Sequence, residues 1–276
     1  MKVYFIGAGP GAADLITLRG AHALGKAPLV LFAGSLVPTD LLQHCRPDAE
    51  IHDTATLNLD EQEALYRRAQ IEDRDVARLH SGDPAIYGAT AEQMRRLERL
   101  GIDYEIVPGV SSFTACAASL GSELTRPGVS QSIVITRVSG RASAVPELES
   151  IEQFARHQAT MCIFLSGPHL KKIVADLLLH YPIDTPAALV YRATCQDERS
   201  HRSTLGNLLS EISVKDWQLT AMLLVGWALA NEDGLESSLY AAHYTHVFRR
   251  GVKDGEPLDD AAMDSAPPDG KEGVTS

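Results

Sequence analysis

The sequence predicts an α/β protein whose β-strands are mainly parallel. Short apolar runs alternate with longer segments of helical spacing along most of the 276 residues, and this alternation is typical of βα units. Hydrophobic residues make up 45% and charged residues 22% of the chain, which is ordinary for a globular protein and excludes a fully disordered or fibrous one. A chain of this length has room for about two domains.

The first half of the chain contains four predicted strands, each followed by a helix. The segment 89–100 is the clearest helix, because it is amphipathic and precedes Gly101, a residue type that commonly ends helices. Pro108 and Gly109 end the fourth strand. The predicted strands are 3–6, 29–32, 75–79 and 104–107, and the predicted helices are 15–24, 60–71, 89–100 and 111–120.

A second series of strands and helices begins near Gln131. Pro127 and Gly128 favour a domain boundary just before it, so we predict α/β domains at 1–120 and 121–251. Beyond Arg250, prolines and acids with few large apolar side chains predict an acidic disordered tail at 252–276. The predicted strands of this half are 133–135, 160–165, 187–191 and 219–225, and the predicted helices are 149–157 and 170–181.

Charge and cysteine content restrict the function classes. The formal net charge is −11 and the pI is near 5.3, which disfavours nucleic acid as a partner because phosphate backbones are repelled. Four cysteines are scattered singly, as in a cytoplasmic protein with reduced thiols. The apolar runs at 3–6 and 221–230 are too short for a signal peptide or a membrane span. His243 and His246 lack a third nearby ligand, so we expect no metal site.

The first glycine-rich turn, Gly7 to Ala12, follows a strand and fits the spacing G-x-G-x-x-A. This spacing is the dinucleotide fingerprint, but the fingerprint also needs an acid at the end of the next strand, and 32–35 contains none. Pro10 removes one of the backbone N–H groups that a pyrophosphate would use. Two interpretations of this turn stay open, a nicotinamide-binding site and a tight turn without a ligand, and the second is favoured.

Two further turns follow strands, at 80–88 and 107–113. Asp83 could bind an ammonium or ribose group, or it could cap the helix after it. Ser111 and Ser112 could cap a helix or contact a ligand, and their spacing is not that of a nucleophile elbow. Because carboxyl ends of parallel strands share one edge of a sheet, the three turns predict a ligand site there.

Taken together, these segments resemble the tetrapyrrole (cobalamin/sirohaem) methyltransferases. The segments 5–11 with 14–20, 79–84 with 87–88, and 107–112 match that family's blocks in order and spacing. Within the family, 32–37 and 191–194 most resemble members that methylate precorrin-4 at C11. The chain departs from the family at Ala12, where an aspartate is usual, so a carboxylate has no role at that position.

The resemblance implies two α/β domains with a ligand cleft between them, a homodimer, and S-adenosylmethionine (SAM) as methyl donor. The implied substrate is precorrin-4 or cobalt-precorrin-4, with no metal and no identified catalytic residue. The implied SAM contacts are Pro10, Ser81, Gly82, Asp83, Ile86, Ser111, Ser112, Leu165, Ala193 and Met222.

A polycarboxylate substrate needs local cations, and arginine matches carboxylates well. The predicted substrate-binding residues are Arg126, Arg137, Arg192 and Arg199, with Arg141 and Arg202 nearby in sequence. Three alternatives stay open: a family member acting at another position or on another substrate, an NAD-dependent oxidoreductase, and a module that binds SAM or a tetrapyrrole without turnover.

Overall fold

The computed structural model describes residues 1–139, 144–218, 220–230, 241, 243–245 and 247. The chain divides into two units, Met1–Glu232 and Asp233–Ser276, and both β-sheets belong to the first. The predicted tail at 252–276, Arg141 and His246 lie outside the described residues. Among the helices that are described, none is long and apolar enough to cross a membrane.

The first sheet is wholly parallel, with strand order β3-β2-β4-β1-β5. Apolar clusters cover both of its faces, which is why β2 and β4 are buried throughout. Its strands are β1 (Lys2–Gly7), β2 (Leu29–Phe32), β3 (Glu50–Asp53), β4 (Val76–His80) and β5 (Asp103–Val107). The α-helices of this half are α1 (Leu18–Lys26), α2 (Leu59–Ile71), α3 (Thr90–Leu100) and α4 (Ser112–Ser119), and the 3-10 turns are Ala13–Leu15 and Thr39–His44.

Local signals start and end these helices. Asn58 Oδ1 accepts from the backbone N–H groups of Asp60 (2.8 Å) and Glu61 (3.0 Å), and the Glu61 carboxylate accepts from the Asn58 N–H (2.8 Å). Helix α2 therefore begins with a capping box. Gly101 ends α3 at φ +65°, as predicted.

The edge strand β3 was not predicted, because charged side chains interrupt its apolar pattern. A hydrogen bond from His52, with the ion pairs to Arg74 (2.8 Å) and Arg68, lowers the pKa of Glu50 to about 2. Asp53 ends the strand and accepts the Gly34 N–H at 2.9 Å. This bond fixes the loop that follows β2.

The second sheet has the order β6-β7-β10-β8-β9 and corrects the prediction of mainly parallel strands in both halves. Only β6 and β7 are parallel, and the other three pairings are antiparallel. The loop 192–198 between β8 and β9 is far shorter than the dozen or so residues that a parallel crossover needs. The strand β9 was not predicted because its residues are polar.

The elements of the second half are mostly short. Its strands are β6 (Ile133–Arg137), β7 (Thr160–Phe164), β8 (Pro186–Tyr191), β9 (Arg199–Thr204) and β10 (Ala221–Val225). The α-helices are α5 (Ile151–Ala155), α6 (Leu170–Leu177) and α7 (Leu208–Glu211), and the 3-10 turns are Glu147–Glu149, Gly167–His169, Val214–Trp217 and Trp227–Leu229.

Helix α4 joins the two halves of the first unit. Its small residues Ala115 and Cys116 pack in one apolar cluster with Cys162, Val190 and Met222 of the second sheet. The opposite face of that sheet is covered by a separate cluster that includes α6. The division at residue 120 stays a proposal; α4, which ends just before it, packs against the sheet that follows it.

Candidate active site

A cavity of about 480 Å³ is lined by residues that follow strands of the first sheet and by residues of the second. The first sheet contributes the segments after β1, β2 and β4 and the start of α4. The second contributes Phe164 at the end of β7, Leu165 after it, the loop after β8, and the start of β10. The structure places all ten residues predicted to contact SAM on this wall: Pro10, Ser81, Gly82, Asp83, Ile86, Ser111, Ser112, Leu165, Ala193 and Met222.

Glycines bring the three predicted turns into backbone contact. A Cβ atom on Gly109 would lie 2.2 Å from the Gly82 carbonyl oxygen and 2.7 Å from the Gly7 Cα atom. Gly9 and Gly82 also pair as an isolated β-bridge, with N–H to O distances of 3.2 and 2.8 Å. Only residues without a side chain permit this approach, so the convergence predicted for these turns is built from glycine.

Asp83 connects two of these turns through its carboxylate. Its Oδ1 accepts from the Ala85 N–H at 2.7 Å, and its Oδ2 accepts from the Gly109 N–H at 2.9 Å. The alternative that Asp83 caps α3 is wrong, because the N-cap residue is Ala89 and no side chain caps that helix. The carboxylate therefore sets the shape of the cavity wall.

Ser111 occupies the N-cap position of α4, but its side chain makes no capping hydrogen bond. Its carbonyl accepts from the Thr114 hydroxyl at 2.7 Å. The side chain is buried on the cavity wall beside Ser112. Of the two uses predicted for this serine, capping is not the one observed.

The glycine-rich turn after β1 packs against the loop that follows β8. A Cβ atom on Gly11 would lie 2.6 Å from Cys195 Sγ and 2.8 Å from the Ala193 carbonyl oxygen. The Ala12 N–H donates to Thr194 Oγ1 at 2.9 Å. The backbone of this turn is therefore packed against the loop after β8, which argues against a bound pyrophosphate and the nicotinamide alternative.

Several non-glycine residues on or beside the wall have left-handed backbone conformations. The φ angles of four of them are 55° at Tyr87, 54° at Leu165, 48° at Arg192 and 68° at Thr194. Each such conformation costs of order 1 kcal/mol or more, and such residues cluster at ligand sites. Tyr87, Leu165 and also Leu36 are more than half exposed, so the cavity presents apolar surface to a ligand.

Two buried ionisable side chains, Arg78 and His80, also line the cavity. Burial and the nearby Arg78 charge lower the pKa of His80 to about 3, so the imidazole is neutral near pH 7. Burial raises the pKa of Cys116, another wall residue, to about 12, which keeps it a thiol. No metal-binding cluster of His, Cys, Asp or Glu occurs among the described residues.

Of the four arginines predicted to bind substrate, only Arg192 is a wall residue among those described. It forms an ion pair with Asp197 at 3.0 Å. Arg199 lies over the rings of Tyr191 and Trp217, with its guanidinium carbon 4.5 and 5.4 Å from the ring centres. Its position supports the loop and the sheet, and its substrate role stays a prediction.

Arg126 and Arg137 also contact groups of the chain itself. Arg126 Nη1 donates to the Ala230 carbonyl at 2.8 Å. The Arg137 guanidinium carbon lies 6.0 Å from the ring centre of Tyr87, a wall residue. Arg202 donates to the Leu229 carbonyl at 3.1 Å. The substrate-binding roles of Arg126 and Arg137 likewise stay predictions.

Sequence reasoning missed several wall residues. The loop 33–38 was used for the fingerprint test and the resemblance but not as a predicted ligand contact, although its residues line the cavity. Arg78 and Cys116 were overlooked because each lies within an otherwise apolar or small-residue segment. A single arginine inside the apolar strand 75–79 was the available signal.

Comparisons with known proteins agree with this geometry. Residues 2–209 match the family Tetrapyrrole (Corrin/Porphyrin) Methylases. The chain is 48% identical to the precorrin-4 C(11)-methyltransferase of Pseudomonas aeruginosa over 251 residues, which are 91% of this chain and 100% of that protein. The chain therefore belongs to the tetrapyrrole methylase family, and the predicted family and α/β fold class are confirmed.

Two solved structures share the fold. The X-ray structure of a cobalamin biosynthetic enzyme, cobalt precorrin-4 methyltransferase, has a TM-score of 0.80 at 43% identity, covering 83% of this chain and 96% of that one. The uroporphyrin-III C-methyltransferase of Thermus thermophilus, complexed with S-adenosylhomocysteine, has a TM-score of 0.70 at 28% identity, covering 83% and 93%.

Proposed function

We propose that the protein transfers the methyl group of SAM to C11 of precorrin-4, forming precorrin-5 in cobalamin biosynthesis. The observation that carries this proposal is the single cavity on whose wall all ten residues predicted to contact SAM lie. The 48% identity to a precorrin-4 C(11)-methyltransferase supports this choice of substrate.

The residues of the wall fit SAM in size and character. A cavity of about 480 Å³ lies within the roughly 300–1,000 Å³ range of small-molecule sites. A Cβ atom on Gly82 would have no neighbour nearer than 3.7 Å, so the backbone of this turn is open to a closely bound ligand. The turn 81–83, Ser111 and Ala193 would bind the cofactor largely through backbone groups.

When bound, SAM supplies a methyl group that is already activated by its sulfonium. The protein then has to align the accepting carbon with the methyl and the sulfur, and such alignment alone contributes several kcal/mol to catalysis. Leu36, Tyr87 and Leu165 offer apolar surface that would exclude water and orient a macrocycle. Arg192 lies where a substrate carboxylate could reach it.

A cobalt-loaded substrate is the alternative within this proposal. It is supported by the 43% identity and the TM-score of 0.80 to a cobalt precorrin-4 methyltransferase. We also infer a homodimer acting in the cytoplasm, on the resemblance of the motifs and the scattered cysteines.

The test is a methyl-transfer assay with SAM and enzymatically prepared precorrin-4, metal-free and cobalt-loaded in parallel. Mass spectrometry should find one added methyl on one of the two forms, and NMR should place it at C11. Omission of SAM is the control. Transfer to neither form, with S-adenosylhomocysteine still bound, would contradict the substrate. Binding of NADH without S-adenosylhomocysteine binding would contradict the reaction class.

A further inference from the structure

Arg78 is a charged residue in the middle of an apolar sheet. On β4 it lies in register with Phe5 of β1 and Leu31 of β2, both completely buried. Arg78 is itself only 7% exposed. Burial of an uncompensated guanidinium costs of order several kcal/mol, so its presence here requires a partner or a use.

The chain surrounds this cation with neutral groups. Arg78 Nε donates to Gln93 Oε1 and Nη1 to the Leu79 carbonyl, both at 3.3 Å, which is long for N–H to O bonds. The flanking His80 is neutral, as described above, and burial raises the pKa of Tyr66, which donates to the same Gln93 oxygen, to about 12. Burial lowers the pKa of Arg78, but a guanidinium stays charged in proteins.

No anion offsets this charge in the part of the chain that the structure describes. None of the ion pairs found there includes Arg78, and Nη2 has no hydrogen bond to a described residue. Arg78 is at the same time a wall residue of the cavity. A negatively charged group of a molecule bound in the cavity can therefore reach Arg78.

We propose that Arg78 is a ligand-binding residue that receives a carboxylate of a molecule bound in the cavity. A guanidinium is the side chain best matched to a carboxylate, because two parallel N–H groups meet two oxygens. The inference rests on the proposed function, since both reactants named there carry carboxylates. The source is either the amino-acid end of SAM or an acetate or propionate group of the tetrapyrrole.

A purely structural role predicts the opposite behaviour on substitution. If Arg78 served only to hold Gln93 and the Leu79 carbonyl, its removal would destabilise the free protein. A buried cation kept for a ligand leaves the free protein equally or more stable when an apolar side chain of similar length replaces it. The Tm without ligand therefore separates the two roles.

The experiment compares Arg78→Met with the wild type and with Arg99→Met, a control on α3 whose side chain is 67% exposed. We expect a ligand-free Tm for R78M at or above that of the wild type. A Kd for S-adenosylhomocysteine raised at least about tenfold would assign the carboxylate to the cofactor. An unchanged Kd with a KM for precorrin-4 raised at least about tenfold would assign it to the substrate. R99M should match the wild type in Tm, in the Kd for S-adenosylhomocysteine and in the KM for precorrin-4.

Values for R78M within about twofold of the wild type in both Kd and KM would overturn the proposal. If R78M does not fold, Arg78→Lys keeps the positive charge but lacks the two parallel N–H groups of the guanidinium. This variant should show the same loss of ligand affinity. Absence of methyl transfer by the wild type would contradict the proposed function alone. The Arg78 site would then be judged by S-adenosylhomocysteine and by uroporphyrin III, an octacarboxylate, and unchanged affinity of R78M for both would overturn it.

Discussion

Replacement of Gly109 by alanine is expected to disrupt the cavity and to abolish or strongly weaken S-adenosylhomocysteine binding. The new Cβ would lie 2.2 Å from the Gly82 carbonyl oxygen and 2.7 Å from the Gly7 Cα. Both are backbone atoms that cannot rotate away, so the cost should reach the upper end of overpacking penalties, about 3 kcal/mol. Separation of the turns would also pull the Gly109 N–H from Asp83. Calorimetry measures the affinity for S-adenosylhomocysteine, and denaturant unfolding measures the loss of stability.

The matched control is Gly101→Ala at the end of α3. Gly101 has a φ of +65°, and a Cβ there would have no neighbour within 4 Å. This change should cost about 1 kcal/mol of stability through backbone conformation alone. Its affinity for S-adenosylhomocysteine should stay that of the wild type. Equal affinities of G109A and G101A would contradict the role assigned to the contact between the turns.

The second large effect is expected from Asp83→Ala. This change removes the acceptor of two backbone N–H groups, those of Ala85 and Gly109. A hydrogen bond to a charged group contributes roughly 1.5–3 kcal/mol, so the turn 81–83 should lose its shape. We expect the Kd of S-adenosylhomocysteine to rise roughly 10- to 100-fold, measured by calorimetry.

For Asp83→Asn, the Kd of S-adenosylhomocysteine should lie between those of the wild type and D83A. The amide oxygen can still accept one hydrogen bond, but the NH₂ group would face the other backbone donor. Asp48→Ala is the surface control, since Asp48 is 69% exposed in its ion pair with Arg46. Surface pairs contribute little to stability, so D48A should bind as the wild type does. If D83A retains wild-type affinity, the carboxylate does not organise the cofactor site.

The parts of the fold that follow from local patterns were predicted from the sequence. The strands β1, β2 and β4 were found from short apolar runs, interrupted in β4 only by Arg78, and the helices between them predict parallel pairing. The three turns were found because glycine and proline mark strand ends. Their convergence at one wall follows from the geometry of parallel sheets.

The parts that depend on tertiary contacts were not predicted. The strand β9 is a polar edge strand that forms only because β8 pairs with it across a short loop. Gly11 is needed because the loop after β8 packs against it, a contact that exists only in the folded protein. Arg199 looked like a substrate ligand by type, but its neighbours are Tyr191 of the paired strand β8 and Trp217 of a later 3-10 turn. No periodicity encodes such contacts.

One cavity, between the turns of the first sheet and the loops of the second, is proposed to bind the methyl donor. The most direct measurement is a crystal structure of the protein with S-adenosylhomocysteine. The ligand should lie against the turn 81–83, Ser111, Ala193 and Met222, within the cavity of about 480 Å³. Ordered S-adenosylhomocysteine at another place, with this cavity filled only by water, would contradict the account.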